Sequence, residues 1–171
     1  ALIIQDLAVY RLAHREFPRL ALHASTQLAI HDADGACALA ELGFRRVVLA
    51  RELTLGEIAA VAARAPIEVE VFVHGALCYA TSGLCLFSAL QAGRSGNRGQ
   101  CAYCCRERFT AADGSAGYPF SMRDLARLDR VGDLRRAGVA SLKIEGRMKS
   151  PLYVAAVTDL YRRKLDGRLS P

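Results

Sequence analysis

The feature that most restricts the fold of this chain is the alternation of short apolar runs with segments of helical periodicity. Five runs are β-prone and suited to strands buried on both faces of a parallel sheet. They cover residues 2–4, 20–24, 47–50, 69–73 and 141–144. Strands that alternate with helices form βα units, and five of them are too few to close an eight-stranded barrel. The sequence therefore predicts an α/β fold, either a partial (β/α) TIM-type barrel or a small open sheet.

Helix start signals lie between these runs. Thr54 and Glu57 match a capping box, in which each residue satisfies a backbone N–H of the other, and Pro66 discourages the helix from continuing. Ser121 and Asp124 resemble a second start signal. They predict a helix whose apolar face carries Leu125, Leu128 and Leu134.

Two helices are predicted to end at glycine. Gly43 and Gly138 each precede an apolar residue and then a strand, which is the pattern of a left-handed C-cap. A final helix is predicted after Pro151, through Leu165. Cys37 lies in an alanine-rich helical pattern, and we expect it to be a small buried apolar residue.

Composition limits the chain to one ordinary domain. It has 171 residues, of which 52% are hydrophobic, enough for a single core. No run of about 18 uncharged apolar residues occurs, so no membrane span is expected. The N-terminus lacks a signal-peptide pattern and a Met, so we expect a cytoplasmic protein and a fragment of a longer chain. The net charge of +6 permits an RNA or small anionic partner and indicates no oligomeric state.

Five of the six cysteines lie in residues 78–105, and the stretch 93–118 is predicted to be a long loop. Disulfides would need an oxidising compartment, which nothing in the sequence indicates. Structural zinc favours C-x2-C pairs, whereas Cys78 and Cys85 form a C-x6-C pair. An iron–sulfur cluster tolerates irregular spacing and suits glycine-rich turns. Spacing alone leaves the cluster, zinc and free thiols as open alternatives.

Several polar residues follow predicted strands, where parallel α/β folds place reactive groups. His74 comes directly after the run 69–73 and indicates either a strand-end hydrogen bond or a substrate contact. Lys143 and Glu145 alternate at the end of the run 141–144, where charges must pair with each other or face a ligand. Arg94 and Arg98 lie on a glycine-rich loop that either binds a carboxylate or phosphate or only covers the surface.

Together these segments resemble the peptidase U32 family, also called collagenase-like proteases. The resemblance covers nearly the whole chain. It rests on HGALCYATSGLC (74–85), GRSGNRGQC (93–101), CCR (104–106), SMRDL (121–125), KIEGRMKSPLYV (143–154), HASTQ (23–27) and LARELTLGEI (49–58). GRSGNRG and EGRMK are most similar to the branch that hydroxylates a cytidine of 23S ribosomal RNA. Sister branches hydroxylate a tRNA uridine or act in oxygen-independent ubiquinone synthesis.

The resemblance implies a barrel-like catalytic domain with a [4Fe–4S] cluster, and prephenate as a co-substrate for RNA hydroxylation. By position, the cluster ligands would be Cys78, Cys85, Cys101 and Cys105. Proline is common in the family where this chain has Cys104, so Cys104 and Cys105 are both candidates for the fourth ligand. The expected catalytic residues are His74, Lys143, Glu145 and Arg147. The expected substrate-binding residues are Arg94, Asn97 and Arg98.

The expected organisation is a single catalytic-domain fragment in three parts: βα units over 1–77, a cluster-binding loop over 78–118, and a last βα unit with its helix over 119–171. Iron–sulfur-dependent RNA hydroxylation is the expected function. A peptidase is one alternative. The chain has no H-E-x-x-H or G-x-S-x-G motif, although Cys78 and His74 are a conceivable nucleophile–base pair. A non-catalytic iron–sulfur partner in ubiquinone synthesis is another.

Overall fold

The computed structural model describes residues 1–82, 84–147 and 149–169. Gly83 and Met148, which belong to the motifs quoted above, lie outside the described residues, as do Ser170 and Pro171. The strands are β1 (Leu2–Ile4), β2 (Leu22–Ala24), β3 (Arg46–Val48), β4 (Glu68–Gly75), β5 (Phe109–Thr110), β6 (Ala116–Gly117), β7 (Leu125–Ala126) and β8 (Ser141–Ile144). The α-helices are α1 (Leu7–Glu16), α2 (Ala33–Glu41), α3 (Leu55–Arg64), α4 (Phe87–Ala92), α5 (Val131–Arg136) and α6 (Pro151–Leu165). Single 3₁₀ turns cover Thr26–Leu28, Gly96–Arg98, Cys104–Arg106 and Leu128–Arg130.

The main sheet is mostly parallel and contains all five predicted strands. β1, β2, β3 and β4 lie side by side in chain order, and β8 pairs in parallel with the other edge of β4. The short strand β7 is antiparallel to the end of β4, while β5 and β6 form a separate hairpin. The prediction of an α/β fold with a parallel sheet is therefore confirmed.

The two faces of the sheet differ in chemistry because side chains alternate along each strand. One face is apolar and packs under the helices. Its strand residues include Leu22, Ala24, Val47, Val69, Val71 and Val73, and the helices cover them with Leu39, Ile58, Val61, Leu134 and Tyr161. The other face is polar. The register places His23 beside Arg46, and Lys143 beside Phe72.

The predicted caps are present. Thr54 and Glu57 exchange both bonds of a capping box at the start of α3. Gly43 and Gly138 have φ values of +89° and +86°. After each glycine the next N–H donates to a carbonyl five residues back, Phe44 to Leu39 and Val139 to Leu134, both at 3.1 Å. Two Schellman motifs thus end α2 and α5.

Two local predictions were wrong, and one helix was missed. The start signal at Ser121 begins no helix, because Leu125 enters β7, where backbone pairing with β4 outweighs local helix preference, and α5 begins only at Val131. Helix α4 was not predicted. Cys37 is only half-buried, with its Sγ 3.9 Å from the carbonyl oxygen of Arg64. The final helix agrees with the prediction.

No helix among the residues that the structure describes has both the length and the apolar character needed to cross a bilayer.

Candidate functional site

The candidate site lies where β2, β3, β4 and β8 end, at the carboxyl edge of the parallel strands. Parallel α/β sheets gather ligand-binding groups at this edge. The stretch of residues 78–105, called the thiol segment below, follows β4 directly and carries five cysteines. It lies against the loops that follow the other three strands.

Four thiols of this segment are close enough for their charges to influence one another. Burial raises the pKa of Cys78, and the neighbouring thiols of Cys85 and Cys101 raise it further. Burial likewise raises the pKa of Cys105, with further contributions from Cys101, Cys78 and Cys85. Cys78, Cys85, Cys101 and Cys105, which the family resemblance selects as ligands, therefore lie near enough to affect one another's ionisation.

Cys104 differs from these four in its surroundings. Its side chain is buried, 6% exposed, whereas Cys105 is only partly covered. Cys104 is not among the main charges that act on Cys78 or Cys105. The assignment of Cys105 as the fourth ligand stays a prediction.

The donor set consists of thiols, the ligand type that both iron–sulfur clusters and zinc ions take. Within residues 1–82, 84–147 and 149–169, no group of three or more Cys, His, Asp or Glu side chains is placed to hold a single metal ion. A four-iron cluster takes one thiolate per iron, so its ligands lie further apart than those of one zinc ion. The backbone N–H of Tyr103 also lies 3.4 Å from the Sγ of Cys101. Such N–H groups stabilise a bound thiolate.

Arg51, which follows β3, holds the start of the thiol segment. Its guanidinium donates to the carbonyl oxygen of Ala76 at 2.7 Å and to Oε2 of Glu145 at 3.1 Å. It also stacks on Phe72, with Cζ 3.9 Å from the ring centroid. Because the side chains of Arg51 and Glu145 are each 14% exposed, this pair is largely shielded from water. The positive charge lowers the cost of ionising the nearby Cys78.

The strand end around Glu145 is tightly packed against β4. Gly75 has φ +108°, and a Cβ there would lie 2.6 Å from the carbonyl oxygen of Glu145. Only glycine fits both constraints. The backbone N–H of Arg147 donates to Oε1 of Glu145 at 2.9 Å. Glu145 is thereby fixed from two sides at the carboxyl edge.

Arg147 and Asn97 link the loops of the site. The Arg147 guanidinium lies 3.5 Å from the carbonyl oxygen of Gly96, and the Tyr103 hydroxyl donates to the carbonyl of Arg147 at 3.3 Å. Gln27, after β2, donates to the backbone oxygen and to Oδ1 of Asn97 at 3.1 and 3.2 Å. The predicted substrate-binding loop is therefore attached to both β2 and β8.

Arg94 and Arg98 are exposed on that loop. Neither forms an ion pair with a carboxylate of the described residues. Both are available for an anion.

Two predicted catalytic residues have other neighbours than the thiols. Lys143 donates to Oε1 of Glu70 at 3.0 Å on the polar face of the sheet, where Arg46 binds the other oxygen of Glu70 at 3.0 Å. Burial alone would raise the pKa of Glu70, but the hydrogen bonds, led by that of Lys143, lower it below the usual value. Lys143 thus belongs to an ion network on the polar face, and its catalytic role stays a prediction.

His74 packs against α6. Its ring centroid lies 6.0 Å from that of Tyr153 and 5.6 Å from that of Tyr161, and its Nδ1 lies 3.5 Å from the Tyr161 hydroxyl. Its catalytic role stays a prediction.

Arg51, Glu52 and Gln27 were not singled out from the sequence. Glu52 accepts hydrogen bonds from the backbone and hydroxyl of Ser82, the latter at 2.7 Å, and so fixes the thiol segment together with Arg51. A usable signal exists, because a charged pair directly follows the buried run 47–50, just as Glu145 follows the run 141–144.

Comparison with known proteins gives a family match over the whole chain. The model of peptidase family U32 matches residues 1–171. The chain is 42% identical to the 23S rRNA 5-hydroxycytidine C2501 synthase of Escherichia coli K12, covering 98% of this chain and 26% of that protein. It is 36% identical to the tRNA hydroxylation protein P1 of Bacillus subtilis 168 (97% and 42% covered) and 32% identical to a collagenase of Porphyromonas gingivalis W83 (98% and 44%).

Among solved structures, that of the U32 peptidase Mk0906 aligns with a TM-score of 0.38 and 18% identity, over 43% of this chain and 30% of that one. The chain spans about a quarter of the first relative and less than half of the other two.

Proposed function

Because the chain belongs to peptidase family U32, we propose that it is part of an RNA-modifying enzyme, an iron–sulfur-dependent hydroxylase of ribosomal or transfer RNA. The observation that supports this most is the group of four thiols at the carboxyl edge of the sheet, in a chain whose relatives are named for RNA hydroxylation. The sheet would be an arc of a (β/α) barrel. Its strand order, β1-β2-β3-β4-β8 without a reversal, supports the arc. The three-part division at 77/78 and 118/119 is part of the proposal.

In this proposal Cys78, Cys85, Cys101 and Cys105 hold a [4Fe–4S] cluster, which supplies one-electron transfer when bound. The chain's own residues prepare that site. Arg51 places a positive charge beside Cys78, and the backbone N–H of Tyr103 faces the sulfur of Cys101. Both lower the cost of ionising the thiols.

Replacing a ring C–H of a base by C–OH removes two electrons from the base and adds one oxygen atom, so the reaction needs a co-substrate besides the RNA that accepts the two electrons and supplies the oxygen. We propose prephenate, a small carboxylate, as the family resemblance implies. Arg94 and Arg98 are exposed within the thiol segment, and Arg147 is exposed next to its residue Gly96. Their guanidinium groups suit carboxylate and phosphate oxygens.

A peptidase of the cysteine type receives less support from the geometry. An activated nucleophilic cysteine has a lowered pKa, whereas burial raises that of Cys78. The ring of His74 faces Tyr161 of α6. A non-catalytic role in ubiquinone synthesis predicts no change in RNA, and the following experiment separates it from the hydroxylase.

The test is mass spectrometry of ribosomal and transfer RNA from a strain that lacks the gene. We expect one hydroxylated base to disappear, to return with the wild-type gene, and to stay absent with Cys78→Ser or Cys105→Ser. Cys37→Ser, a thiol away from the group, should restore it. Anaerobically purified protein should contain iron and sulfide. Unchanged RNA in the deletion strain, or a colourless protein with stoichiometric zinc, would contradict the proposal.

A further inference from the structure

A cluster of aromatic rings lies outside the main core, beside the thiols. The Phe120 ring centroid is 5.1 Å from that of Tyr79, 6.0 Å from that of Phe87 and 4.9 Å from that of Phe109. All three contacts are edge-to-face, the favourable geometry for aromatic pairs. Tyr79 directly follows Cys78, so this rigid group of rings adjoins the proposed cluster site.

Part of this cluster is open to solvent. Tyr79 is 56% exposed, and the nearby Tyr118 is 60% exposed. The same stretch exposes further large apolar side chains, namely Leu84, Leu86, Leu90 and Met122. So many exposed large apolar side chains along one stretch of the chain are more typical of an interaction region than of ordinary surface.

The charge around these rings is positive. Residues 78–127 contain six arginines and three carboxylates. Two of the carboxylates are engaged, since Asp113 accepts from Ser115, and Asp124 pairs with Arg106 and Lys149. Arg108 and Arg123 are exposed and form no ion pair within the described part of the chain. Exposed rings with unpaired arginines form a surface complementary to an anion with flat apolar faces.

We propose that this aromatic–arginine surface, defined by Tyr79, Tyr118, Arg108 and Arg123, binds a single-stranded segment of RNA. Bases stack on the two tyrosine rings while the arginines pair with phosphates. The choice of RNA rests on the proposed function. A single strand fits better than a duplex, because only unpaired bases expose their faces to side chains.

The test measures binding without chemistry. Full-length protein is titrated into a fluorescently labelled single-stranded oligoribonucleotide of about ten nucleotides, a length suited to such surfaces, and anisotropy is recorded. Tyr79→Ala and Tyr118→Ala should each weaken binding about tenfold, since stacking is lost, whereas Tyr→Phe at either position should bind like the wild type. Arg108→Ala and Arg123→Ala should each reduce the slope of log Kd against log salt by about 1.

Leu12→Ala and Arg15→Ala on α1 are the matched controls, because Leu12 is 54% exposed and Arg15 is also on the surface. Wild-type affinity in the double alanine variant of Tyr79 and Tyr118 would overturn the proposal. So would a change from dimer to monomer in sedimentation with unchanged RNA binding, which would assign the surface to a second copy. If Tyr→Phe also abolished binding, stacking would be excluded.

The binding result is independent of catalysis. Loss of binding in the alanine variants, with no RNA modification in any strain, would support this surface while the hydroxylase proposal failed. Retained binding in those variants, with the modification still dependent on the gene, would overturn this surface while the hydroxylase proposal stood.

Discussion

Arg51 is the single residue in which most contacts of the site meet. It bonds Ala76 and Glu145 and stacks on Phe72, so one guanidinium joins β3, β4 and β8. Removing it would leave a shielded carboxylate without its partner, which is costly because the remaining charge stays away from water.

We therefore predict that Arg51→Met lowers the free energy of unfolding by about 2 to 3 kcal/mol. Arg64→Met is the control, because the Arg64–Asp34 pair has side chains 63% and 82% exposed. It should cost less than about 0.5 kcal/mol. Urea unfolding measures both, and equal losses in the two variants would show that the Arg51 pair is no better shielded than a surface pair.

A second prediction concerns Gly75. Gly75→Ala should lower the free energy of unfolding by about 3 kcal/mol or more, since it combines a left-handed backbone with a contact of 2.6 Å to the Glu145 carbonyl. Gly114→Ala separates the two effects, because Gly114 has φ +80° and no atom within 4 Å of the added carbon. The control should lose only about 1 kcal/mol from backbone strain. If the two variants melted at similar temperatures, the close contact of the added carbon with the Glu145 carbonyl would not contribute to the loss of stability.

For single residues, the sequence indicates which charged side chains need an ion-pair partner better than it indicates which residue that partner is. Glu145 could be selected because a charge at the end of a buried strand needs a partner, but the partner, Arg51, is 94 residues away in the chain. Lys143 meets the same criterion and yet pairs with Glu70 on the polar face. The pattern alone could not distinguish the two outcomes, because both depend on strand register.

Side-chain ion pairs connect three strands on the polar face of the sheet. Glu70 on β4 binds Arg46 on β3 and Lys143 on β8. Since the folded protein lowers the pKa of Glu70, the folded state binds fewer protons there than the unfolded chain does. The stabilisation is complete above the unfolded pKa and is lost as pH falls through the folded pKa.

Glu70→Gln should therefore be less stable than the wild type at neutral pH, and this difference should shrink on acidification. Urea unfolding across a series of buffers measures it. A difference that stays constant down to acidic pH would show that the carboxylate charge does not stabilise the sheet.

The loop 93–99 and the turn after β2 are coupled through Gln27 and Asn97. Gln27→Ala should free this loop, because it removes the side-chain donor to both oxygens of Asn97. Trypsin should then cut faster after Arg94 and Arg98, as followed by mass spectrometry. Gln5→Ala, an exposed glutamine after β1, is the control. Equal cleavage rates would mean that the loop is held by other contacts.

Elements of strong local pattern were predictable, and elements defined by pairing were not. The five parallel strands, the capping box of α3 and both glycine C-caps follow from the sequence. β7 has only two residues, and its hydrogen bonds to β4 exist only once β4 is in place. No local signal could separate Leu125 in that strand from Leu125 in a helix.

At the scale of the whole molecule, the edge of the sheet formed by β1 and the adjoining helix α1 exposes apolar side chains. β1 and α1 expose Ile3 (52%), Leu7 (52%) and Leu12 (54%). An uncovered edge strand beside exposed apolar side chains favours association. The 171-residue chain expressed alone should therefore bind the dye ANS.

Leu7→Asp and Leu12→Asp should together reduce that fluorescence, whereas Leu152→Asp on α6, 78% exposed, should change it little. Unchanged fluorescence in the double variant would show that the dye binds elsewhere on the molecule.

The hydrogen bonds and ion pair that hold the thiol segment have a consequence for the biosynthesis of the protein. Cys78 to Cys105 leave the ribosome well before Glu145 and Arg147, yet these later residues complete the arrangement around them. Iron delivered during translation would reach a site that still lacks the contacts of Glu145 and Arg147. If these thiols bind the proposed cluster, we expect its assembly to be completed only after β8 has been synthesised.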